Sequence, residues 1–344
     1  MNNSIYNLSY EELENLLLSN GFKKYRASQI WEFLYKTKVS SFKEMANVGA
    51  SLVEFLEKNY KMGVSVPILE STSSDTTKKI LYELSDGNII ETVLINNKYG
   101  YSLCVSTQIG CNMGCTFCAS TQVKKVRNLD TSEIIEQFML SARLTGVIIK
   151  SVVFMGIGEP FDNYDNLIKS IKIFNHPKGL EIGIRHITVS TCGIIPKIIE
   201  FSKENMQVNL AISLHASNND LRTRLMPITK LYSIKKLIEA LKIYYSATSR
   251  RITIEYIMLD KVNDSIENAK ELSALLKGLN VYINLIPYNS VENVKLACSK
   301  LESRQAFFDY LTKEGFDVTL RRSQGSSINA ACGQLRVNNL NQNE

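Results

Sequence analysis

The sequence predicts an α/β protein built around a partial (β/α)6 barrel, preceded by a small helical unit. Three observations predict it. Apolar strand-like runs recur at Leu103 to Val105, Ser151 to Met155, Ile187 to Ser190, Val208 to Leu214, Ile252 to Met258 and Val281 to Ile286. Helix-like stretches such as Ser132 to Leu144 and Ile234 to Tyr245 separate most of them, which is the signature of a parallel sheet with right-handed crossovers. Ahead of residue 60 the periodicity is helical and no strand run occurs. Six strand runs within about 185 residues are too few for a full eight-stranded barrel, which needs roughly 250 residues.

In chain order, residues 1–65 read as short helices forming a helical accessory unit. Ser9-Tyr10-Glu11-Glu12 has the form of a capping box, a hydroxyl for the N3 amide and a carboxylate reaching back. Leu13, Leu16 and Leu17 follow on one face and Gly21 marks the stop. A second helix is expected from about Ala27 to Tyr35 with Ile30, Phe33 and Leu34 inward, and Ser41-Phe42-Lys43-Glu44 is a further capping-box candidate. Lys23, Lys24, Arg26, Lys36 and Lys38 make this unit basic, either a solvated face or a surface for RNA phosphates. Residues 66–98 form a connecting segment in which Lys79 to Leu84, the turn Asp86-Gly87 and Ile89 to Leu94 spell a β-hairpin. The catalytic core is expected over 99–336, with its chemistry at the C-terminal ends of the strands, and 337–344 is a polar tail.

Hydrophobic residues are 44% of the chain and charged residues 22%, so a packed core is expected and disorder is not. A formal charge of +6 permits a polyanionic partner without demanding one. No apolar run approaches the roughly 20 residues of a membrane span, and the start lacks a secretory pattern. The seven cysteines are odd in number, and three of them fall within eight residues. That is a poor disulfide framework and points to a reducing, cytoplasmic setting where clustered thiols bind metal or react.

Cys111-Asn112-Met113-Gly114-Cys115-Thr116-Phe117-Cys118 follows a strand and can direct three sulfurs at one site. Four-iron clusters usually take four cysteines; three would leave one iron open. A zinc site completed by another Cys or a His is the alternative. Gly156-Ile157-Gly158-Glu159-Pro160 follows the second strand; it is too short for a dinucleotide fingerprint and lacks a P-loop lysine. Ser190, Ser213-Leu214-His215 and Asn289 end or follow later strands. Each alone is unremarkable; on consecutive barrel rims beside three thiols they form one pocket.

These residues resemble those of radical S-adenosylmethionine (SAM) enzymes. The whole chain resembles the dual-specificity RNA methyltransferases of the RlmN and Cfr group, which methylate a ring carbon of adenine. The likeness extends through Phe22 to Ile30, Ser106 to Cys111, Arg127-Asn128-Leu129 and, most specifically, Ala330-Ala331-Cys332-Gly333-Gln334-Leu335. It implies one [4Fe-4S] cluster on Cys111, Cys115 and Cys118, with SAM held by Gly158, Glu159, Ser190, Ser213, Leu214, His215 and Asn289. It also implies two uses of SAM per turnover. Cys332 would take a methyl group from the first; a radical from the second would activate that methyl for addition to adenine. Cys104 would then release the covalently held RNA by forming a disulfide with Cys332. Glu91, a lone carboxylate in an apolar strand, matches the family's proton acceptor. Cys192 and Cys298 match no motif and are assigned to packing or surface.

The implied substrates are 23S rRNA in its peptidyl-transferase region and the adenosine 3′ of the anticodon in tRNA, with flavodoxin or ferredoxin as reductant. Gly158-Glu159-Pro160 resembles the branch acting at C2; the resistance-type branch, acting at C8, has alanine after the glutamate. Thr121 to Lys125 lacks glycines common in the group, and Ser327 stands where relatives commonly carry an acid. Arg321-Arg322 and Lys124-Lys125-Val126-Arg127 are candidate phosphate contacts. A non-catalytic iron–sulfur or zinc RNA-binding protein is the competing reading from another class.

Overall fold

A computed structural model describes residues 3–98 and 100–336. The polar tail assigned to 337–344 therefore lies outside the described residues. The N-terminal unit comprises α1 (Tyr10–Ser19), α2 (Tyr25–Glu32) and α3 (Ala50–Asn59). The Ser9 capping box forms, with Ser9 Oγ accepting from Glu12 N at 3.1 Å and Glu12 Oε2 accepting from Ser9 N at 2.7 Å. Leu13 and Leu17 are buried behind it. The second candidate box does not form: neither Ser40 nor Ser41 accepts a backbone N–H on its hydroxyl among the described residues. Glu44 instead accepts from the backbone N–H of Ser40 at 3.1 Å, and only a short turn, Phe42–Glu44, results.

The sheet continues as β1 (Val66–Thr72), β2 (Lys78–Glu83), β3 (Ile89–Asn97) and β4 (Gly100–Cys104). The hairpin read from Lys79 to Leu94 is β2–β3. It is not a free-standing connector: β1 pairs with its outer side and β4 with its inner side, so it extends the barrel sheet itself. β1 escaped notice because its residues are mostly exposed and do not alternate.

A two-residue pair, β5 (Gln108–Ile109) with β6 (Arg127–Asn128), brackets the cysteine loop. Then come α4 (Thr131–Thr145), β7 (Ile149–Phe154), α5 (Tyr164–Asn175), β8 (Ile187–Thr191), α6 (Ile195–Phe201) and β9 (Asn209–Ser213). The chain goes on through α7 (Asn219–Leu225), α8 (Ile234–Thr248), β10 (Ile252–Met258), α9 (Ile266–Leu276), β11 (Val281–Pro287), α10 (Leu301–Lys313) and β12 (Asp317–Leu320).

The ten-stranded order is β1-β2-β3-β4-β7-β8-β9-β10-β11-β12. From β4 to β12 every neighbour is parallel. All six expected strands are present, each followed by a helix, so the (β/α)6 reading stands. A seventh parallel strand, β12, closes the series. It is short and only half-buried, so no continuous apolar run announced it. Beyond β12 the chain leaves regular structure, and residues 325–336 return across the strand ends toward β3. Among the described residues no helix is long and apolar enough to cross a membrane.

The helical unit is fastened to α4 through a buried carboxylate. Glu136 accepts from Ser4 Oγ at 3.1 Å, Val64 N at 3.0 Å and Ser65 N at 2.8 Å. Burial raises its pKa while these donors oppose the rise.

Candidate active site

The cysteine loop is positioned at both ends. Cys111 N donates to Val123 O at 3.0 Å, and Thr116 N donates to Leu225 O, at the end of α7, at 3.0 Å. Cys111, Cys115 and Cys118 all face one cavity of about 920 Å³ at the C-terminal rim of the sheet. Gly158, Glu159, Ser190, Ser213 and His215 line the same cavity. None of the cysteines is disulfide-bonded among the described residues.

No three His, Cys, Asp or Glu side chains among the described residues converge closely enough to chelate a single ion. A four-iron cluster spreads its thiolates over separate irons and does not need them to meet at one point. Burial is the largest influence on all three thiols, pushing Cys111 up to about 12 and raising Cys115 and Cys118 as well. Such thiols are neutral until a metal takes them as thiolates. The donor set and the space fit a four-iron cluster with a small organic ligand beside it.

The strand ends around this cavity are held by specific bonds. Gly158 has φ +106°, and a Cβ there would meet the Gln108 Cβ at 2.6 Å, so only glycine lets the turn lie against β5. Glu159 is buried. One carboxylate oxygen accepts from Phe161 N at 3.0 Å and the other from Cys192 N at 2.7 Å, which binds the β7 and β8 ends together. Desolvation raises the Glu159 pKa and these bonds oppose it. His215 sits at φ +58°. Its Nδ1 accepts from Ile257 N at 3.1 Å and its ring meets Phe117 edge-on with centroids 4.9 Å apart. Burial, with the Arg222 charge adding, drives its pKa down to about 3. It is therefore a neutral imidazole, and with Nδ1 accepting, Nε2 carries the proton.

Leu214 and Asn289 do not line this cavity. Leu214 turns into the main hydrophobic core, fully buried, and its N–H donates to Glu255 O at 3.1 Å. Its place between two cavity-facing residues on a strand end forces this alternation. Asn289 lines a second cavity, of about 680 Å³, instead of the first.

That second cavity contains Cys104, at the end of β4, and Cys332, on the returning segment. Cys332 also lines the first cavity, so it stands where the two meet. Burial pushes the Cys104 thiol up to about 12; the charge of Cys332 adds to this and Arg321 opposes it. Arg321 follows β12, its N–H bonded to Leu285 O at 2.8 Å, and its side chain lines both cavities. The nearby charge of Cys332 raises its pKa, desolvation opposes, and Glu255 and Cys104 add. The Cys332 loop is pinned on three sides. Gly333 O accepts from Ala119 N at 2.7 Å, Leu335 O from Ser120 Oγ at 2.8 Å, and Asp75 Oδ2 from Gly325 N at 2.7 Å.

Glu91 is not brought to the thiols. It shares a strand face with Val93 and Ile95, which line the thiol cavity, but Leu335 and Arg336 lie across it. Its carboxylate accepts from Arg336 N at 2.9 Å and sits 3.6 Å from Lys79 Nζ, in a separate space of about 450 Å³. Burial raises its pKa to about 7 against the pull of Lys79.

The basic run after the cluster is largely occupied. Lys125 pairs with Asp162 at 2.7 Å, and Arg127 with Asp86 and Glu133, each at 2.7 Å. Lys124 is exposed. Cys298 is half-buried in a small apolar cluster, whereas Cys192 is buried and faces the cluster cavity.

Two residues were not anticipated. Glu255, buried in β10 and bonded to Asn284 Nδ2 at 2.8 Å, faces the first cavity. It is one carboxylate in an apolar strand, the signal that singled out Glu91, so the same criterion finds it. Arg222 is wholly buried, yet it stands in the polar stretch Asn218 to Arg224, which reads as a solvated helix.

Comparison with known proteins agrees with this geometry. Residues 105–272 match the radical SAM superfamily, and residues 3–62 match the N-terminal domain of the ribosomal RNA large subunit methyltransferases. A probable dual-specificity RNA methyltransferase RlmN from Acholeplasma laidlawii is 52% identical over 336 residues, covering 98% of this chain and 99% of its own. Its counterpart from Listeria welshimeri is 51% identical over 341 residues, covering 97% and 93%. The crystal structure of a radical SAM methyltransferase from Sphaerobacter thermophilus superposes with a TM-score of 0.93 at 38% identity, covering 97% of this chain and 99% of that one. Near-complete coverage at this identity, with the cysteine loop and Cys332 both in place, makes the chain a member of the RlmN family of radical SAM methyltransferases.

Proposed function

We propose that this protein methylates C2 of an adenine in 23S rRNA, in the peptidyl-transferase region, and of the adenine 3′ of the anticodon in tRNA. The observation that carries the reading is Cys332, placed where the cluster cavity meets the cavity holding Cys104. A ring carbon of adenine is not a nucleophile, so a methyl group must first be parked on the protein and then activated. A cysteine open to both spaces can do this.

In this reading Cys111, Cys115 and Cys118 hold one [4Fe-4S] cluster, and Gly158, Glu159, Ser190, Ser213 and His215 surround SAM. When bound and reduced by flavodoxin or ferredoxin, the cluster supplies, with SAM, the radical chemistry that the protein side chains lack. Leu214 contributes only backbone, and Asn289 reaches SAM from the thiol side. Two SAM molecules are consumed per turnover, one as the methyl source. Cys332 accepts the methyl, which gives up one of its hydrogen atoms to the radical and becomes linked as a methylene to the adenine. The adenine loses a proton and one electron. Cys104 thiolate then attacks the Cys332 sulfur. The S–S bond forms as the sulfur–methylene bond breaks with its electron pair on carbon, a proton completes the methyl group, and a cellular thiol reductant reopens the disulfide. Arg321, beside both sulfurs, offsets the charge that each acquires as thiolate. Glu91 accepts the proton from the adenine carbon after Arg336 is drawn off its carboxylate. The target base must unstack to enter, at a cost of roughly a few kcal/mol. Work on RNA places the enzyme in the cytoplasm.

The test is mass spectrometry of nucleosides from rRNA and tRNA of cells with and without the gene. Loss of 2-methyladenosine from both supports the proposal; loss of 8-methyladenosine alone overturns it. Cys104→Ala should trap RNA covalently on the enzyme, visible as a retarded band, and normal turnover by that variant would remove Cys104 from the scheme.

A further inference from the structure

Arg222 lies on α7 and is fully withdrawn from solvent. Buried guanidinium groups ordinarily face a carboxylate, because an unpaired buried charge is costly. Arg222 has none among the described residues. Its Nε donates to Leu214 O at 3.1 Å, Nη1 to Thr229 Oγ1 at 3.0 Å, and Nη2 to Cys192 O at 2.6 Å and Ser213 O at 3.0 Å. All four acceptors are neutral. They occupy four of the five N–H donors of the fork and supply no opposite charge.

The anion that would compensate it lies on the cavity side. Two of its acceptors, the carbonyls of Cys192 and Ser213, belong to residues that line the cavity faced by Cys111, Cys115 and Cys118, and any charge on the Cys192 and Cys115 sulfurs acts on it. The helix that carries it also anchors the cysteine loop, since Thr116 N donates to Leu225 O at 3.0 Å. Its other titratable neighbour, His215, is neutral and neither competes nor assists. Glu159 is committed to the N–H groups of Phe161 and Cys192. A cluster carrying three thiolates is a net anion, and reduction makes it more negative.

We propose that Arg222 is the internal counter-cation of the cluster and, through the same fork, the clamp that ties the β9 end to the Cys192 turn. It is a positioning residue. Its charge favours the reduced cluster, and its hydrogen bonds fix Ser213 at the SAM rim. The inference rests on Cys111, Cys115 and Cys118 holding a cluster.

The test is an anaerobic, EPR-monitored redox titration of the reconstituted holoenzyme, with iron content and SAM affinity measured in parallel. Arg222→Met keeps the bulk and removes the charge. Its midpoint should move negative by at least a tenfold change in the one-electron equilibrium, 59 mV. Arg222→Lys keeps the charge and loses the fork, so its midpoint should stay within that limit of wild type while SAM binding weakens several-fold. A Met variant with full iron content and an unchanged midpoint overturns the proposal. If the Met variant does not fold, the Lys variant decides alone, because a midpoint lowered beyond 59 mV with the charge retained also overturns it. A wild-type protein that takes up no iron is a separate failure, of the cluster reading itself.

Discussion

The two cavities at the barrel rim share a wall and are built by opposite means. The cluster cavity is made of strand ends locked to one another: Glu159 joins the β7 and β8 ends, His215 is held by Ile257, and Arg222 ties the β9 end to the Cys192 turn. The thiol cavity is closed by residues 321–336, which contain one short turn, Ser326–Ile328, and are tied down by hydrogen bonds to Asp75, Glu91, Ala119, Ser120, Leu285 and Ser290 without joining a strand or a long helix. The first arrangement suits radical generation, which needs fixed distances. The second suits a sulfur that must meet a methyl donor, a base and another thiol in turn. The contrast predicts that cofactor assembly and RNA methylation can be separated by mutation.

The largest effect tests that separation directly. Cys332→Ala should abolish methylation, a loss on the order of 10³-fold or more, as when a covalent nucleophile is removed. Iron content and reductive cleavage of SAM to 5′-deoxyadenosine should survive. Cys115→Ala should lose the iron, the cleavage and the methylation together. Iron analysis and chromatography of 5′-deoxyadenosine decide it; a Cys332→Ala protein that cannot hold iron would erase the distinction between the cavities.

The same contrast explains what the sequence disclosed. Strand ends in a parallel sheet announce themselves, because a buried apolar run stops at a polar residue; Ser190, Ser213 and His215 were legible for that reason. The Leu214 side chain lies in the core, away from the cavity, because a motif is contiguous in sequence while a strand sends alternate side chains to opposite faces. Separation between cavities was not legible at all. Glu91 and Cys104 are 13 positions apart on paired strands, yet a segment more than 200 residues later lies across the space beside Glu91. Arg222 was hidden by local composition. Its hydrogen-bonding partners are backbone carbonyls and Thr229, and carbonyl groups leave no mark on sequence.

The next effect concerns the segment over Glu91. In the closed chain its pKa is about 7 against an ordinary 4.5, with burial as the main cause. Between those values the unfolded chain has lost the proton that the folded chain keeps, so stability falls as pH rises from 4.5 to 7 and levels above. The size is about 3 kcal/mol at most, at 1.36 kcal/mol per unit. Glu91→Gln does not titrate and should lack this fall, which denaturant titrations at pH 5 and pH 8 can measure. If Glu91 is the proton acceptor, wild-type methylation should rise over the same interval, and the variant should be slow and flat. A pH dependence of stability that is the same in wild type and Glu91→Gln would mean that Arg336 and Leu335 leave the carboxylate in contact with water.

The smallest effect compares Gly158, at the cluster cavity, with Gly333, where the two cavities meet. Gly158 has φ +106° and no room, since an added Cβ would meet Gln108 at 2.6 Å; Gly333 has φ +81° but its nearest obstacle, Phe117 O, is at 3.5 Å. Gly158→Ala therefore carries both backbone strain and overpacking, together about 2–3 kcal/mol. Gly333→Ala carries the backbone term alone, about 1 kcal/mol. Gln108 cannot easily yield, because its amide also donates to Asn128 at 2.8 Å and Asp162 at 2.9 Å, and its carbonyl accepts from Glu159 N at 2.9 Å. Movement there would pull the Glu159 turn off the SAM site, so Gly158→Ala should also weaken SAM binding. In Gly333→Ala the strain falls on the Cys332 segment and not on the Glu159 turn, and the affinity for SAM should hold while methylation slows. Equal losses of SAM affinity in the two variants would show that the thiol segment is as firmly tied to the cluster cavity as the strand ends are.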